Sequence, residues 1–361
     1  MVSACYPQPV TRSLPPALLI FLLSCWPCPS TAAPAKRPTI TDKALLKGAK
    51  RLARQVRLQR QLKPRRALKM EVLDGEALAA RRLALLQARL SSEPLTAQAQ
   101  VLAALGLMEP GTDLHAALLQ RLTHGEPGPF YDPKKERIYI ARGVPLKEQR
   151  MALSLATCHA LVDQRFRMRR LRKKGAASED AYLAVRALAE GDCITLMLEL
   201  LLAADALDPS ALGKAEEALL VRAIQGEGRV SDFLQRRIQF PYMSGFTFVS
   251  KLRSRQPWEI LRKVYQRPPE STEQVMHYER YWERDRPDRF RAPGLKTLEG
   301  AVELRRDTLG EFVLGRYLTR GVDEAGALRA AQGWGGDLLV ALKQAGEDKA
   351  LVLVHLTSWD S

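Results

Sequence analysis

Beyond residue 35, this 361-residue sequence lacks the short motifs that mark many enzymes. It contains no Gly-x-Ser-x-Gly nucleophile turn, no phosphate-binding Walker loop and no Cys-x-x-Cys pair, so those three chemistries have no candidate residues. No apolar run reaches the roughly 20 residues that cross a bilayer as a helix. The composition is nevertheless that of a folded globular protein, with 46% hydrophobic and 27% charged residues.

The first 35 residues have the layout of a secretory signal peptide. Arg12 precedes an apolar run at residues 14–23, and small residues follow at 30–35. The run is too short to span a bilayer, so we predict that residues 1–35 are removed and that the protein is exported. It would then be periplasmic, extracellular or attached to the outer membrane, where nucleic acid is not an expected partner.

A second cleavage pattern involves Cys25. Residues 22–25 read Leu-Leu-Ser-Cys, which resembles a bacterial lipobox and would make Cys25 the lipid-bearing first residue of a lipoprotein. Residues 30–35 suit ordinary signal peptidase instead, and both alternatives stay open. With residues 1–35 removed, Cys158 and Cys193 are the cysteines that remain, which permits one disulfide in an oxidising compartment.

Positive charge exceeds negative charge by 16 and is concentrated in two segments. Residues 36–66 hold twelve basic residues against one acid, and seven of the ten residues 165–174 are basic. Four apolar residues of the first segment recur at helical spacing: Leu45, Ala49, Leu52 and Val56. This pattern predicts an amphipathic helix that ends near Pro64. Such a helix either packs on the main domain or lies on an anionic surface such as phospholipid or acidic polysaccharide.

The rest of the pattern predicts an α+β protein that is predominantly α. Four further helices are expected, at residues 75–91, 95–123 (with a break at 109–111), 146–168 and 178–204. Two aromatic and β-branched segments within residues 130–140 flank an Asp-Pro turn, which predicts a β-hairpin. Later residues are expected to form helices and irregular connections, with a tight turn at 333–337 that buries Trp334 and a final strand at 350–354.

Residues 155–164 read Leu-Ala-Thr-Cys-His-Ala-Leu-Val-Asp-Gln and follow Phe-Tyr-Asp-Pro at residues 130–133. These segments resemble a family of secreted bacterial and archaeal zinc metallopeptidases, in which the hairpin precedes a helix reading His-Glu-Leu-Thr-His-Ala-Leu-x-Asp-Gln. Further matching segments continue the resemblance to Asp360: residues 189–192, 240–249, 268–277, 309–311 and 333–337. The resemblance implies a zincin-like domain at 126–361, with a small sheet beside the motif helix, after a signal peptide (1–35) and a basic helical region (36–125).

The zinc-binding motif itself is altered in this chain. In the family, two histidines four residues apart bind Zn²⁺, a Glu accepts a proton from the metal-bound water, and the next helix supplies a third ligand. The resemblance places Leu155 at the first histidine, Ala156 at the general base, His159 at the second histidine and Glu190 at the third ligand. His159 and Glu190 would then be vestigial metal ligands, and hydrolysis by the family mechanism is not expected.

Cys158 leaves three alternatives open. Its thiolate could join His159 and Glu190 in a rebuilt zinc site, although adjacent helical residues point about 100° apart. It also shares a helix face with Leu155, and Cys193 follows Glu190 by about one turn. A Cys158–Cys193 disulfide could therefore hold together two helices that a metal would otherwise join. Two free buried thiols are the third alternative.

His159 and Glu190 could each have a purely structural role. His159 follows apolar residues and could be an ordinary core histidine. Glu190 and Asp192 could bond to Ser271, to Thr272 or to the backbone in the middle of a helix.

These patterns predict an exported, catalytically inactive metallopeptidase homologue, a pseudopeptidase, that binds a peptide or scaffolds an envelope protein. The edge strand of the hairpin could still align an extended peptide by strand addition after the metal is lost. One alternative is an envelope protein that binds polyanions or anionic lipid through its basic segments. Another is a hydrolase with an altered metal site. Zinc would be the cofactor of that hydrolase, whereas a pseudopeptidase needs none.

Overall fold

The computed structural model describes residues 40–90, 94–123, 128–175, 178–202, 231–291, 301–344 and 350–360. The predicted signal peptide at 1–35 and the candidate lipid-bearing Cys25 lie outside these residues. Residues 39–361 belong to one compact unit. Among the described residues, none of the helices has both the length and the apolar character needed to span a bilayer.

Within the described residues the chain forms thirteen α-helices and two three-stranded sheets. The helices are α1 (Asp42–Arg60), α2 (Gly75–Leu90), α3 (Leu95–Ala104), α4 (Leu114–Thr123), α5 (Arg150–Phe166), α6 (Met168–Gly175), α7 (Glu179–Leu202), α8 (Asp232–Arg255), α9 (Ile260–Gln266), α10 (Thr272–Met276), α11 (Tyr278–Glu283), α12 (Gly310–Leu318) and α13 (Glu324–Ala331). The strands are β1 (Lys69–Leu73), β2 (Phe130–Asp132), β3 (Arg137–Ala141), β4 (Ala301–Asp307), β5 (Trp334–Gln344) and β6 (Leu351–Trp359). The prediction of an α+β chain that is mostly α is confirmed.

The first sheet contains the predicted hairpin. Strands β2 and β3 pair antiparallel, and the Asp132 carboxylate closes the turn by accepting from the backbone N–H groups of Lys134 and Lys135 at 2.8 and 3.2 Å. The sheet order is β1-β3-β2, with β1 parallel to β3. Strand β1 was not predicted, because its five residues are too few to show a clear alternation.

The sequence did not predict the second sheet. Residues 333–337, expected to form a tight turn, instead include the start of a strand of this sheet. Its order is β4-β5-β6, and the central β5 begins at Trp334 instead of following a tight turn. Trp334 is buried, as predicted. The register of β5 against β6 shifts between Trp334 and Gly336, so the neighbouring glycines mark a bulge instead of a turn. The final strand, expected at 350–354, continues to Trp359.

Helix α1 packs on the rest of the chain through its apolar stripe. The four predicted stripe residues are all buried: Leu45, Ala49, Leu52 and Val56. The helix begins after Thr41, whose Oγ1 accepts from the N–H of Ala44 at 3.3 Å. It ends at Arg60, earlier than the predicted Pro64, because Gln61 adopts the left-handed conformation with φ 55°. The domain boundary that the sequence predicts between residues 125 and 126 lies inside this compact unit, which includes residues on both sides of it.

Helices α7 and α8 cross at very close range in the core. A Cβ atom on Gly191 would lie 2.0 Å from the carbonyl oxygen of Gly245, and one on Gly245 would lie 2.1 Å from that of Ala187. The two glycines therefore allow backbone-to-backbone contact. Helix α8 also continues through Pro241, where an irregular connection was expected. Tertiary packing here overrides the loss of one backbone hydrogen bond.

Candidate functional site

The structure places α5 and α7 side by side and links them in two ways. The sulfur atoms of Cys158 and Cys193 are bonded, with 5.4 Å between their Cα atoms, and both residues are fully buried. Beside this bond, Nε2 of His159 lies 3.2 Å from Oε2 of Glu190. His159 and Glu190 are half-buried, so their contact reaches the surface. The His159–Glu190 contact therefore joins the two residues that the family resemblance makes metal ligands, and the disulfide joins the same two helices in the core beside them.

Leu155 and Ala156, the two altered motif positions, are apolar residues and lie in apolar surroundings. Ala156 is buried. Leu155 is half-buried against an apolar cluster formed by residues of α7 and α8. This apolar patch comprises Met151, Leu155, Ile194, Met197, Leu198, Leu201, Tyr242 and Phe246. Neither altered position offers a ligand or a proton acceptor to a metal-bound water.

The residues at this position do not fit a catalytic zinc site, which normally has three protein ligands and an open position. Among the residues that the structure describes, His159 and Glu190 are the ligand-type side chains that meet here. The sulfur of Cys158 is bonded to Cys193, so the alternative of a rebuilt site with a Cys158 ligand does not hold. No step through a metal is therefore derived.

Another group of ligand-type side chains lies elsewhere in the described part of the chain. Glu273, Asp285 and Asp360 place carboxylate oxygens within 4.8 Å of one another. Nη1 of Arg280 lies 3.0 Å from Glu273 and 2.6 Å from Asp285, and it also pairs with Asp360. The guanidinium group thus occupies the position that a cation would take.

Glu190 is held in its ionised form. Burial raises its pKa, but the positive charges of His159, Arg186 and Arg172 outweigh burial and lower the pKa to about 2. Arg186 precedes Glu190 by one helical turn on α7, whereas Arg172 approaches from α6. Protein cations thus supply part of the positive charge that a metal ion would bring.

Three arginines from three helices, called here the arginine cluster, act on Glu190 or contact Tyr182: Arg89 on α2, Arg172 on α6 and Arg186 on α7. Nη2 of Arg89 donates to Oη of Tyr182 at 3.3 Å, and Cζ of Arg186 lies 5.8 Å from the centre of the Tyr182 ring. Burial and the positive charge of Arg89 lower the pKa of Arg172. The cluster thus brings like charges close together.

Sequence reasoning missed the arginine cluster because its members are far apart in the sequence. Arg89 precedes Arg172 by 83 residues, and Arg186 follows Arg172 by 14, so no local pattern connects them. The segment 165–174 was read as one basic run. In the structure its arginines differ, since Arg169 and Arg170 are exposed whereas Arg172 is half-buried. The spacing of Arg186 and Glu190 at i and i+4 on a predicted helix was the one local signal available.

Asp192 has different partners from those suggested by the sequence. Its carboxylate accepts from Nε and Nη2 of Arg60 at 2.6 and 2.9 Å, and from Oη of Tyr265 at 2.9 Å. Thr272, the partner suggested for it, instead donates its backbone N–H to Asp180 at 2.9 Å. Glu190 likewise pairs with His159. The alternative in which Glu190 and Asp192 bond to Ser271 or Thr272 is therefore not the arrangement found in the structure.

The hairpin lies against the helix that carries the altered motif. Oη of Tyr131 on β2 donates to Oδ2 of Asp163 on α5 at 2.9 Å. In the described part of the sheet, β2 pairs only with β3 and forms one edge. Its outer backbone groups could therefore accept an added strand.

Comparisons with known proteins gave no match to a protein-family model, a curated protein or a solved structure.

Proposed function

We propose that the protein is a catalytically inactive relative of zincin-like metallopeptidases that binds a polypeptide without cleaving it. The observation that supports this proposal is the link between α5 and α7. The Cys158–Cys193 bond holds the two helices together without a metal, next to the His159–Glu190 pair. A protein that needed a catalytic zinc there would keep a third ligand, whereas Leu155 supplies none.

The same geometry argues against hydrolysis by the family mechanism. A general base contributes roughly 10²–10⁴-fold to the rate, and Ala156 has no group to supply it. Leu155 cannot bind zinc, and the sulfur of Cys158 is not free. A hydrolase with an altered metal site is therefore the weaker proposal.

Two surface features support polypeptide binding. Strand β2 offers an unpaired edge beside α5, which suits strand addition by an extended chain. The apolar patch contains half-buried side chains that can contact residues of a bound chain. We further propose that the protein is exported, with removal of residues 1–35 or lipidation at Cys25, so that its partner is a peptide or an envelope protein.

A second candidate function is attachment to an anionic surface. The outer face of α1 carries exposed basic residues: Lys43, Lys47, Lys50, Arg51 and Arg54. Such a face attracts phospholipid head groups and acidic polysaccharides, and salt screens the attraction. Retention on heparin that disappears when these five residues are changed to Gln supports this function. Retention that the changes leave intact contradicts it.

The test of the main proposal uses the chain produced with its own leader in an exporting bacterium and purified without chelator. Elemental mass spectrometry gives the zinc-to-protein ratio, and a reduced, iodoacetamide-alkylated polypeptide serves as an unfolded probe. We expect a ratio near zero, and binding of the probe with no cleavage by mass spectrometry. A ratio near one that falls in the His159→Ala variant overturns the proposal, and so does absence of binding.

A further inference from the structure

Three segments of the chain meet beside the turn of the β2–β3 hairpin: the connection after α1, the turn itself and the end of α5. The backbone N–H of Arg66 donates to Oε1 of Gln164 at 3.1 Å, and Nη2 of Arg66 lies 2.6 Å from Oε1 of Glu136 in the turn. Nη2 of Arg65 donates to the carbonyl oxygen of Arg165 at 3.3 Å, across 100 positions of sequence. The fold thus brings basic segments that are distant in the sequence to one surface.

This surface carries a net positive charge. It has six exposed cations, called here the basic corner: Arg65, Arg66, Lys134, Lys135, Arg165 and Arg167. The same segments contain three carboxylates. Asp132 is buried and accepts from the backbone of the turn, and Asp163 accepts from Tyr131. Glu136 pairs with Arg66, whereas the other five cations have no ion pair with a carboxylate of the described residues.

The basic corner lies at one end of the β2 edge. Strand β2 ends at Asp132, whose carboxylate holds the turn that carries Lys134 and Lys135. Tyr131, in the middle of β2, contacts Asp163 near the end of α5. A chain paired with β2 would therefore run onto the basic corner as it leaves the strand.

We propose that the basic corner binds an acidic stretch of a polypeptide whose neighbouring residues pair with the edge of β2. The inference rests on the proposed function and names the chemistry of the bound chain. Opposite charge attracts the acidic stretch, and an arginine can hold a carboxylate through two parallel hydrogen bonds. An extended chain advances about 3.3 Å per residue, so the paired part and the acidic part need only a few residues each.

The edge of β2 favours a polypeptide over other polyanions. The backbone of an extended peptide matches the outer N–H and C=O groups of the strand, which an acidic polysaccharide does not. Within the three described segments, no large apolar side chain is exposed that would enter a membrane surface. An acidic polypeptide is therefore the better match, and a sulfated polysaccharide serves as the competitor in the test.

Binding is measured by fluorescence anisotropy on the full chain, purified as for the test of the proposed function, with peptides that carry an uncharged dye. The first peptide has four Glu residues followed by Ser-Val-Thr-Val-Ser, and the second has the two blocks in reverse order. The third has Gln in place of Glu, and the fourth has Gly-Ser-Gly-Ser-Gly in place of the strand-forming block. The first two peptides distinguish antiparallel from parallel pairing with β2, because they place the acidic block at opposite ends. A heparin fragment of defined length is the competitor.

Two double variants remove charge from the basic corner. Arg165→Gln with Arg167→Gln acts at the end of α5, and Lys134→Gln with Lys135→Gln acts in the turn. All four side chains are exposed, so the fold should tolerate their loss. Circular dichroism and the melting temperature establish that each variant is folded, and a variant that is not leaves the decision to the other.

The matched control is Lys251→Gln with Arg329→Gln. Both side chains are exposed, on α8 and α13, which contribute nothing to the basic corner. Their loss lowers the net charge by the same amount as either test variant. A general effect of charge would therefore appear equally in the control.

We expect the better of the first two peptides to bind about tenfold or more tightly than the Gln peptide in about 50 mM salt. About 500 mM salt should remove most of this difference, because salt screens exposed charges. Each double variant of the basic corner should weaken binding of the acidic peptide about three- to tenfold, since exposed ion pairs contribute modestly, and should leave the Gln peptide unchanged. The control should change binding by less than about twofold.

Four results overturn the inference: equal binding of the acidic and Gln peptides, an equal loss in the control variant, full affinity of the peptide without its strand-forming block, or displacement by heparin at a lower concentration than by the acidic peptide. If the acidic and Gln peptides bind equally, the inference fails and the proposed function stands. If no peptide binds while the unfolded probe does, the inference alone fails. If neither binds, both fail.

Discussion

The bond between Cys158 and Cys193 should account for a large share of the stability of the protein. It joins residues separated by 35 positions in the sequence. The loop-entropy relation assigns such a crosslink about 13 cal/mol/K, which is about 3.8 kcal/mol at 25 °C. A typical domain has a free energy of unfolding of only about 5–15 kcal/mol. Loss of the bond should therefore be easily measured.

The decisive measurement compares the loss of unfolding free energy in the two single cysteine variants with the loss in the double variant. Cys158→Ala and Cys193→Ala each remove the whole crosslink, so the double variant loses it only once. Urea unfolding at pH 7 without reductant should show two single losses whose sum exceeds the double loss by about 4 kcal/mol. A non-reduced tryptic digest should contain the linked peptides. Losses that add, together with free thiols at both positions, would refute the reasoning.

Two further predictions concern protonation and metal binding. Burial, opposed by hydrogen bonds from Thr272, raises the pKa of Asp180 from its ordinary value of 3.8 to about 8. The native state then holds a proton that the unfolded state releases, so stability should fall between about pH 4 and pH 8. In melting or urea experiments, Asp180→Asn should remove about 1.4 kcal/mol per pH unit from this slope, and an unchanged slope would contradict the assignment. Leu155→His combined with Ala156→Glu should raise the zinc-to-protein ratio from near zero towards one, because a third ligand joins His159 and Glu190. Adding His159→Ala should abolish the gain, and a double variant that stays free of zinc would argue against the family correspondence.

The sequence predicted those parts of the fold that depend on local pattern. The stripe of α1 and the extent of α2 follow from helical periodicity, and the β2–β3 hairpin follows from its turn residues. Strand β5 escaped prediction because its short apolar run, residues 338–342, begins just after two glycines and is buried on both faces. Such a run has no alternation to distinguish a strand from other buried structure.

The candidate site was predictable to a similar extent. His159 and Glu190 were singled out by the family resemblance, and Cys158 and Cys193 because they are the two cysteines beyond residue 35 and lie beside those positions. The arginine cluster was not, because α2, α6 and α7 meet only in the folded chain. Arg60 was not among the partners considered for Asp192 for the same reason, since it lies 132 positions away.

The buried Arg60–Asp192 pair makes the basic N-terminal helix an inseparable part of the fold. Both side chains are almost fully buried, and Arg60 also lies 4.7 Å above the ring of Trp258. A fragment that began at residue 126 would leave the Asp192 carboxylate in the core without its guanidinium partner, a loss that typically costs about 3–5 kcal/mol. The proposed binding surface is therefore not a portable module. It cannot be transplanted or exchanged with a related chain unless α1 goes with it.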